Sequence, residues 1–339
     1  MNHQYNLQFD KLCESLKLGE VSSAPHAITG GLLHRMFAVE TTKGKYAIKA
    51  LNPQIMARPT AMRNYIRSEN IANIASNRVP ALPVKIIKDK AIHEIDNQFY
   101  LIFEWIDGCS LKSHKIGKIH CEKMGSIVAR IHTTDFTSIE KDNDHYNVTY
   151  ETDWNSYLNK GEEFHPVWTK VLQENIDQLY MWSGKAKRSA SLMSSDDKVI
   201  GHGDLEPKNV MWRDDNPIII DWESAGYVHP MHDLVETAIY WSVDDSGRVD
   251  QEKFLAFIRG YQKHFGPLKA DWKMILDHGY LSKLEWLEYN LKRSLWIECT
   301  DEKEHQLGTL EVIGTLKTIK QYEAMASELE DWLIKNQEG

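Results

Sequence analysis

Hydrophobic positions along this chain change their period near residue 107. Ahead of that point they alternate. A short apolar stretch, Ala27–Thr29, runs into Gly30-Gly31, and Leu33–Glu40 and Lys45–Leu51 then flank a turn at 41–44. The alternation puts Ala47, Lys49 and Leu51 on one face of the second strand and Tyr46, Ile48 and Ala50 on the other. This predicts an antiparallel hairpin with a lysine on an otherwise small and apolar face. Pro59 opens a predicted helix to Ser76, because proline is tolerated in a first helical turn. Val84–Ile87 and Gln98–Trp105 read as two further strands, and Asp107-Gly108 is a turn signal directly after them.

Beyond the turn the period becomes mainly helical, over about 121–132, 154–158, 166–181, 231–242, 251–265, 272–299 and 309–334. Short strand-like runs at Lys198–Gly201, Val210–Trp212 and Ile218–Asp221 interrupt it. The expected fold is therefore α+β and two-lobed. A small antiparallel-sheet lobe with one helix spans 1–106, and a larger, mainly helical lobe spans 107–339. A hinge is expected at about 103–108.

Composition narrows the functional classes. The chain has 339 residues, 42% hydrophobic and 26% charged, with no fixed-period repeat. Charges interrupt every apolar run well short of the roughly 18 residues a membrane span needs. No basic-then-apolar leader opens the sequence. Cys13, Cys109, Cys121 and Cys299 form no C-x-x-C pair, which suits a reducing cytoplasm and argues against a zinc or disulfide framework. A net charge of −9 opposes nonspecific nucleic-acid binding. That charge is uneven: residues 1–102 balance at +5 and the remainder at −14. A basic front suits an anionic ligand and an acidic back suits a cationic one, although solvated faces would give the same counts.

Phosphoryl transfer needs a lysine for the phosphates, oxygen ligands for magnesium and a carboxylate facing the attacking hydroxyl. These parts occur here in order. His202-Gly203-Asp204 precedes Asn209 by five residues, and Asp221 follows twelve later, after an Ile-Ile-Ile run. The pattern H-x-D-x-x-x-x-N…D is the signature of the protein-kinase-like superfamily. With Gly203, Pro207 and Asp221-Trp222-Glu223, it resembles the aminoglycoside phosphotransferase and choline kinase family. A P-loop NTPase is excluded, since no G-x-x-x-x-G-K-[ST] occurs. A carboxylate-pair glycosidase would leave Asn209 and Lys49 unexplained.

The resemblance implies an ATP- and Mg²⁺-dependent small-molecule kinase, with GTP left open as donor. Asp204 would orient or deprotonate the acceptor hydroxyl, and Asn209 and Asp221 would supply oxygen ligands to magnesium. His202 would organise the loop. Lys49 would hold the phosphates, oriented by Glu69, the only acid between Asn52 and Asn77. Gly30-Gly31 stands where a phosphate-covering loop belongs, with a simple hairpin turn as the alternative. Phe103 would back the adenine, while the Glu104 carbonyl and Ile106 amide would bond its edge. Asp233 resembles the family's helix-start aspartate, which ties the catalytic loop down. A metal pair at His229 and His232 lacks further ligands.

The acceptor is less defined. Glu206, Glu236, Glu285 and Glu288, with Glu298 and Asp301, are candidate carboxylates for an ammonium-bearing substrate of the aminoglycoside antibiotic type. A choline, ethanolamine or homoserine kinase is the alternative, and an aromatic cage drawn from the 11 tryptophans would favour choline. A nucleotide-binding regulator without catalysis is the third reading. Oligomeric state is open.

Overall fold

The computed structural model describes residues 4–28, 34–140, 152–192 and 197–338. The chain divides into two compact units. The first takes in 1–112, 134–140 and 202–226, so residues 202–226 cluster with the N-terminal sheet.

That sheet has the order β1-β2-β3-β5-β4, from β1 (His26–Ile28), β2 (Arg35–Thr41), β3 (Gly44–Ala50), β4 (Ile92–Ile95) and β5 (Gln98–Glu104). All its pairings are antiparallel, and Lys49 lies between Met36 of β2 and Leu101 of β5. The fourth strand is not the predicted one. Val84–Ile87 runs beside the sheet, with one bond from the Lys85 amide to the Ile102 carbonyl and a bridge from Ile87 to Lys90. The strand proper is Ile92–Ile95, joined to β5 through Asp96-Asn97, both at positive φ (48° and 64°). Two left-handed residues match the twist of a tight hairpin, and Asp and Asn reach that region more readily than most side chains.

Both sheet faces are covered. The expected helix appears as α3 (Ala61–Ala75), preceded by a short α2 (Pro53–Met56). An N-terminal helix, α1 (Phe9–Leu16), was not foreseen. It buries Phe9, Leu12, Cys13 and Leu16 at i, i+3, i+4, i+7 spacing, packing them with Ile48, Ala50, Tyr100 and Ile102. Leu51, Leu101 and Phe103, on the Lys49 face, pack with Val84 and with Tyr65 of α3. A second sheet, β6-β8-β9, comprises β6 (Cys109–Ser110), β8 (Val210–Arg213) and β9 (Asn216–Ile219).

The second unit is helical: α4 (Lys118–His132), α5 (Trp154–Phe164), α6 (Thr169–Gln173), α7 (Ile176–Leu192), α8 (Pro230–Ser242), α9 (Gln251–Phe265), α10 (Trp272–His278), α11 (Tyr280–Ser294) and α12 (Glu302–Glu338). It also holds β7 (Val199–Gly201), and β10 (Gly226–Val228) runs in from the first unit. Two helices predicted as continuous are broken, at 174–175 and at Gly279. Among the described residues no helix is long and apolar enough to cross a membrane.

The α4–α9 crossing depends on two glycines. A Cβ on Gly125 would lie 2.0 Å from the Phe257 carbonyl oxygen, and one on Gly260 would lie 2.0 Å from that of Glu122. Each backbone therefore sits where the other's side chain would be. We expect Gly125→Ala and Gly260→Ala each to cost about 1–3 kcal/mol by overpacking, read from urea unfolding midpoints. Unchanged midpoints would mean that the helices do not approach so closely.

Candidate active site

Strand alternation delivers Lys49 to the covered face, where its side chain is 8% exposed. A buried ammonium needs compensating anions. It donates to Asp221 Oδ1 at 2.5 Å and to Glu223 Oε2 at 2.9 Å. Burial alone would lower the Lys49 pKa, but the two carboxylates hold it above the ordinary lysine value. Burial would likewise raise Asp221, and Lys49 outweighs it and keeps that carboxyl below its usual range. Glu223 is raised, because burial dominates there.

The Asp221-Trp222-Glu223 run makes this geometry. Asp221 lies two residues past β9 in the left-handed region (φ 63°, ψ 62°), and a 3₁₀ turn covers Trp222–Ser224. Trp222 is buried, donates from Nε1 to the Ile219 carbonyl at 3.3 Å and packs its ring 4.7 Å from that of His202. The indole anchors the turn while its two acidic neighbours both reach Lys49.

The expected Lys49–Glu69 ion pair is not the one formed. Glu69 is buried on α3, and its Oε2 accepts the Val84 amide at 3.2 Å. Burial pushes its carboxyl up to about 7 despite the nearby Lys49 charge. The lysine's partner is instead Glu223, two residues from Asp221 in sequence. A buried histidine completes this side. His34 Nδ1 accepts the Asn52 amide at 2.9 Å, so its proton sits on Nε2, which faces Tyr65 Oη at 2.5 Å and Glu223 Oε2 at 3.4 Å. Burial, with Lys49 adding to it, pushes the His34 pKa down to about 3.

The catalytic-type loop is tied to the same centre. His202 donates from Nε2 to the Ile220 carbonyl at 3.1 Å and accepts the Asp204 amide on Nδ1 at 3.3 Å. Gly203 has φ +78°, and a Cβ there would lie 2.3 Å from the Ser224 carbonyl oxygen, so only glycine fits. Asn209 Nδ2 donates to the Asp204 carbonyl at 2.8 Å and to its Oδ2 at 2.9 Å. Burial and the nearby Glu206 push Asp204 up to about 7. Lys208 lies 3.7 Å from Asp204 Oδ2 and 3.2 Å from Glu206 Oε2.

Both Asn209 side-chain bonds use Nδ2, which leaves Oδ1 as a hard oxygen donor in the same compact unit as the Asp221 carboxylate. That donor chemistry fits magnesium. Among the described residues no group of three or more His, Cys, Asp or Glu side chains is placed to hold a metal, and His229 and His232 form no such centre. Under the sheet a cavity of about 480 Å³ is lined by Ala27, Ile28, Ala38, Lys45 and Trp105, among others. The Lys45 ammonium lies 4.1 Å from the centre of the Trp105 ring. Phe103 is buried beside this strand end, Glu104 pairs with Lys85, and Ile106 is half-buried. Gly30 and Gly31 lie outside the described residues.

In the helical unit, Asp233 Oδ2 accepts from His132 Nε2 at 2.9 Å, and a Cβ on Gly201 would sit 3.1 Å from the same oxygen. The acceptor candidates differ in availability. Glu236 is buried against Lys283 at 2.6 Å. Glu288 accepts from Thr152, Tyr157 and Lys292. Glu206 is engaged by Lys208. Glu285 keeps part of its surface exposed, while the partial burial of its carboxyl and the Glu288 charge raise its pKa. Trp154, Trp168, Trp182, Trp222 and Trp241 are fully buried, which removes five tryptophans from any aromatic cage. Sequence reasoning missed His34, Lys208 and Trp105 as site residues, and Glu223 was visible only as part of the Asp-Trp-Glu run.

Comparison with known proteins places this fold among the kinase-like phosphotransferases. The profile of the phosphotransferase enzyme family matches residues 26–267. The chain belongs to that family and is a small-molecule phosphotransferase. It is similar in structure to a spectinomycin phosphotransferase solved with ADP and spectinomycin, with a TM-score of 0.66, 14% identity and coverage of 96% of this chain and 98% of that one. An amicoumacin kinase solved with AMP-PNP and Ca²⁺ gives a TM-score of 0.59, 12% identity and coverage of 96% and 94%. A choline kinase from Cryptosporidium parvum Iowa II gives 0.52, 12% identity and coverage of 96% and 99%. No curated protein sequence matches the chain significantly.

His34 makes a stability prediction. Its folded pKa of about 3 lies below the unfolded value of 6.5, so the unfolded chain binds the extra proton first. The neutral histidine's contribution is present above pH 6.5 and is lost as pH falls towards 3. The slope is about 1.4 kcal/mol per pH unit. Urea unfolding between pH 7 and 5 should therefore fall less steeply in His34→Gln than in the wild type. Equal slopes would show that His34 is not buried neutral.

Proposed function

We propose that the chain moves the γ-phosphate of ATP to a hydroxyl of a small cationic molecule of the aminoglycoside type. The observation that carries this is the meeting of Lys49, Asp204, Asn209 and Asp221 in one compact unit. Lys49 shifts its ammonium from Asp221 to the phosphate oxygens when nucleotide arrives. Asp204 faces the acceptor hydroxyl, and its raised pKa suits a group that takes a proton near neutrality. Asn209 and Asp221 hold magnesium, which when bound neutralises phosphate charge. His202 and Gly203 fix the loop, and Asp233 steadies its approach. The cavity beside Trp105 takes the purine, with Phe103 behind it and the Glu104 carbonyl and Ile106 amide at its edge. Gly30-Gly31 covers the phosphates. The hinge at 103–108 ends a nucleotide lobe, 1–106, and the acceptor lobe is drawn from 107–339, less the stretches such as 202–226 that cluster with the N-terminal sheet.

The cationic acceptor is supported by the −14 balance beyond residue 102 and by Glu285, which alone of the four glutamates has no hydrogen-bond or ion-pair partner among the described residues. Glu206, Glu236 and Glu288 act internally, holding Lys208, Lys283 and the Thr152–Tyr157–Lys292 group.

An ATP-consumption screen over aminoglycosides, spectinomycin, choline, ethanolamine and homoserine tests the reading. Turnover with an ammonium-bearing antibiotic is expected. Turnover confined to choline or ethanolamine would move the role to metabolism, and turnover with none would favour a non-catalytic regulator. Asp204→Ala should lower kcat by about 10²–10⁴-fold while ATP still binds. Asp221→Ala should lose the magnesium-dependent part of nucleotide affinity in calorimetry. Full turnover by Asp204→Ala with every acceptor would sink the mechanism.

A further inference from the structure

Lys208 is a cation in the catalytic-type loop with no role in the scheme above. Its ammonium lies 3.7 Å from Asp204 Oδ2 and 3.2 Å from Glu206 Oε2. Its side chain is 47% exposed, against 8% for Lys49, so its four-carbon stem is free to swing where Lys49 is packed in place. The backbone beneath it is firm. Pro207–Asn209 is a 3₁₀ turn, and Asn209 is pinned to Asp204 by two bonds.

Charge gives the arm a task. Four carboxylates, Asp204, Glu206, Asp221 and Glu223, face two ammonium groups here, Lys49 and Lys208, so acids outnumber cations even though burial raises Asp204 and Glu223. Lys49 is already shared by two carboxylates. A triphosphate entering this centre meets a surplus of negative charge, and its terminal phosphoryl group needs a cation beside the attacking oxygen. In an in-line transfer the phosphoryl group lies next to the hydroxyl that Asp204 faces. Of the cations described around the centre, Lys208 is the one beside that carboxylate.

We propose that Lys208 is a catalytic residue: it leaves Glu206 to bind the equatorial oxygens of the γ-phosphoryl group during transfer. This rests on the kinase reading above. The acceptor oxygen forms a bond to phosphorus, and the bond from phosphorus to the β,γ-bridging oxygen breaks, its electron pair leaving on ADP. The acceptor proton passes to Asp204. Lys208 forms no covalent bond and supplies charge-assisted hydrogen bonds to the oxygens in flight. Glu206 is its resting partner, which parks the ammonium when the site holds no γ-phosphate. The competing account is an exposed i, i+4 ion pair with little energetic consequence.

Calorimetric titration of the full chain with Mg²⁺ and either ADP or AMP-PNP separates the two and needs no acceptor. Lys208→Ala should weaken AMP-PNP binding roughly tenfold and leave ADP binding within about twofold, because only AMP-PNP carries the γ-phosphate. Lys208→Arg should regain most of the loss. Glu206→Gln, which keeps the lysine and frees it, should tighten AMP-PNP relative to ADP and serves if Lys208→Ala fails to fold. Equal effects on both nucleotides, or none on either, overturn the proposal and leave the kinase reading intact. A wild-type chain that binds neither nucleotide overturns that reading and this proposal together.

Discussion

The site depends on one buried ion triad, the Lys49 ammonium held between Asp221 and Glu223. Three ionised groups would leave one uncompensated negative charge around an ammonium whose side chain is 8% exposed. Removing either carboxylate strips hydrogen bonds from a buried ammonium, and removing Lys49 leaves two carboxylates facing each other. The neighbours are arranged around this constraint. β3 must pair centrally so that Lys49 stays buried, and α3 must supply Tyr65 and Glu69 beside it. His34 must remain neutral, since a second full cation would crowd Lys49.

The backbone at 202–224 serves the same end. Asp221 sits in the left-handed region, a cost borne because the turn brings two acids to one lysine. Trp222 fills the space beneath, His202 bonds back to Ile220, and Gly203 lets Ser224 approach. These contacts make the loop and the post-β9 turn one rigid element. It clusters with the N-terminal sheet rather than with the helices that precede and follow it in sequence. A phosphate-binding lysine and the carboxylates of the transfer step thereby share a single packed body.

What could be read in advance follows the range of the signals. The β2–β3 hairpin, α3, α8 and α9 declared themselves through local period, and α9 matched at both ends, Gln251–Phe265. The loop residues were legible because their spacing is fixed by chemistry. Lys49's partner was not, since Glu69 and Glu223 are both acids beside an apolar run and only tertiary packing decides between them. α1 escaped notice because eight residues carry little periodic signal. The Asp96-Asn97 turn was overshadowed by the β-branched Val84–Ile87 run. The acceptor carboxylates were the least legible, because Glu236 is taken by Lys283 from a distant helix and Glu288 by Lys292 one helical turn on, while both acids look free in sequence.

Lys49 is the residue on which the nucleotide site stands or falls. The direct measurement is the affinity of Lys49→Met for Mg·ATP, beside the wild type, with folding checked by urea unfolding. A buried, carboxylate-held phosphate lysine predicts a folded variant whose ATP affinity falls by about 10²-fold, about 2.7 kcal/mol. A folded variant that binds Mg·ATP as tightly as the wild type would contradict it.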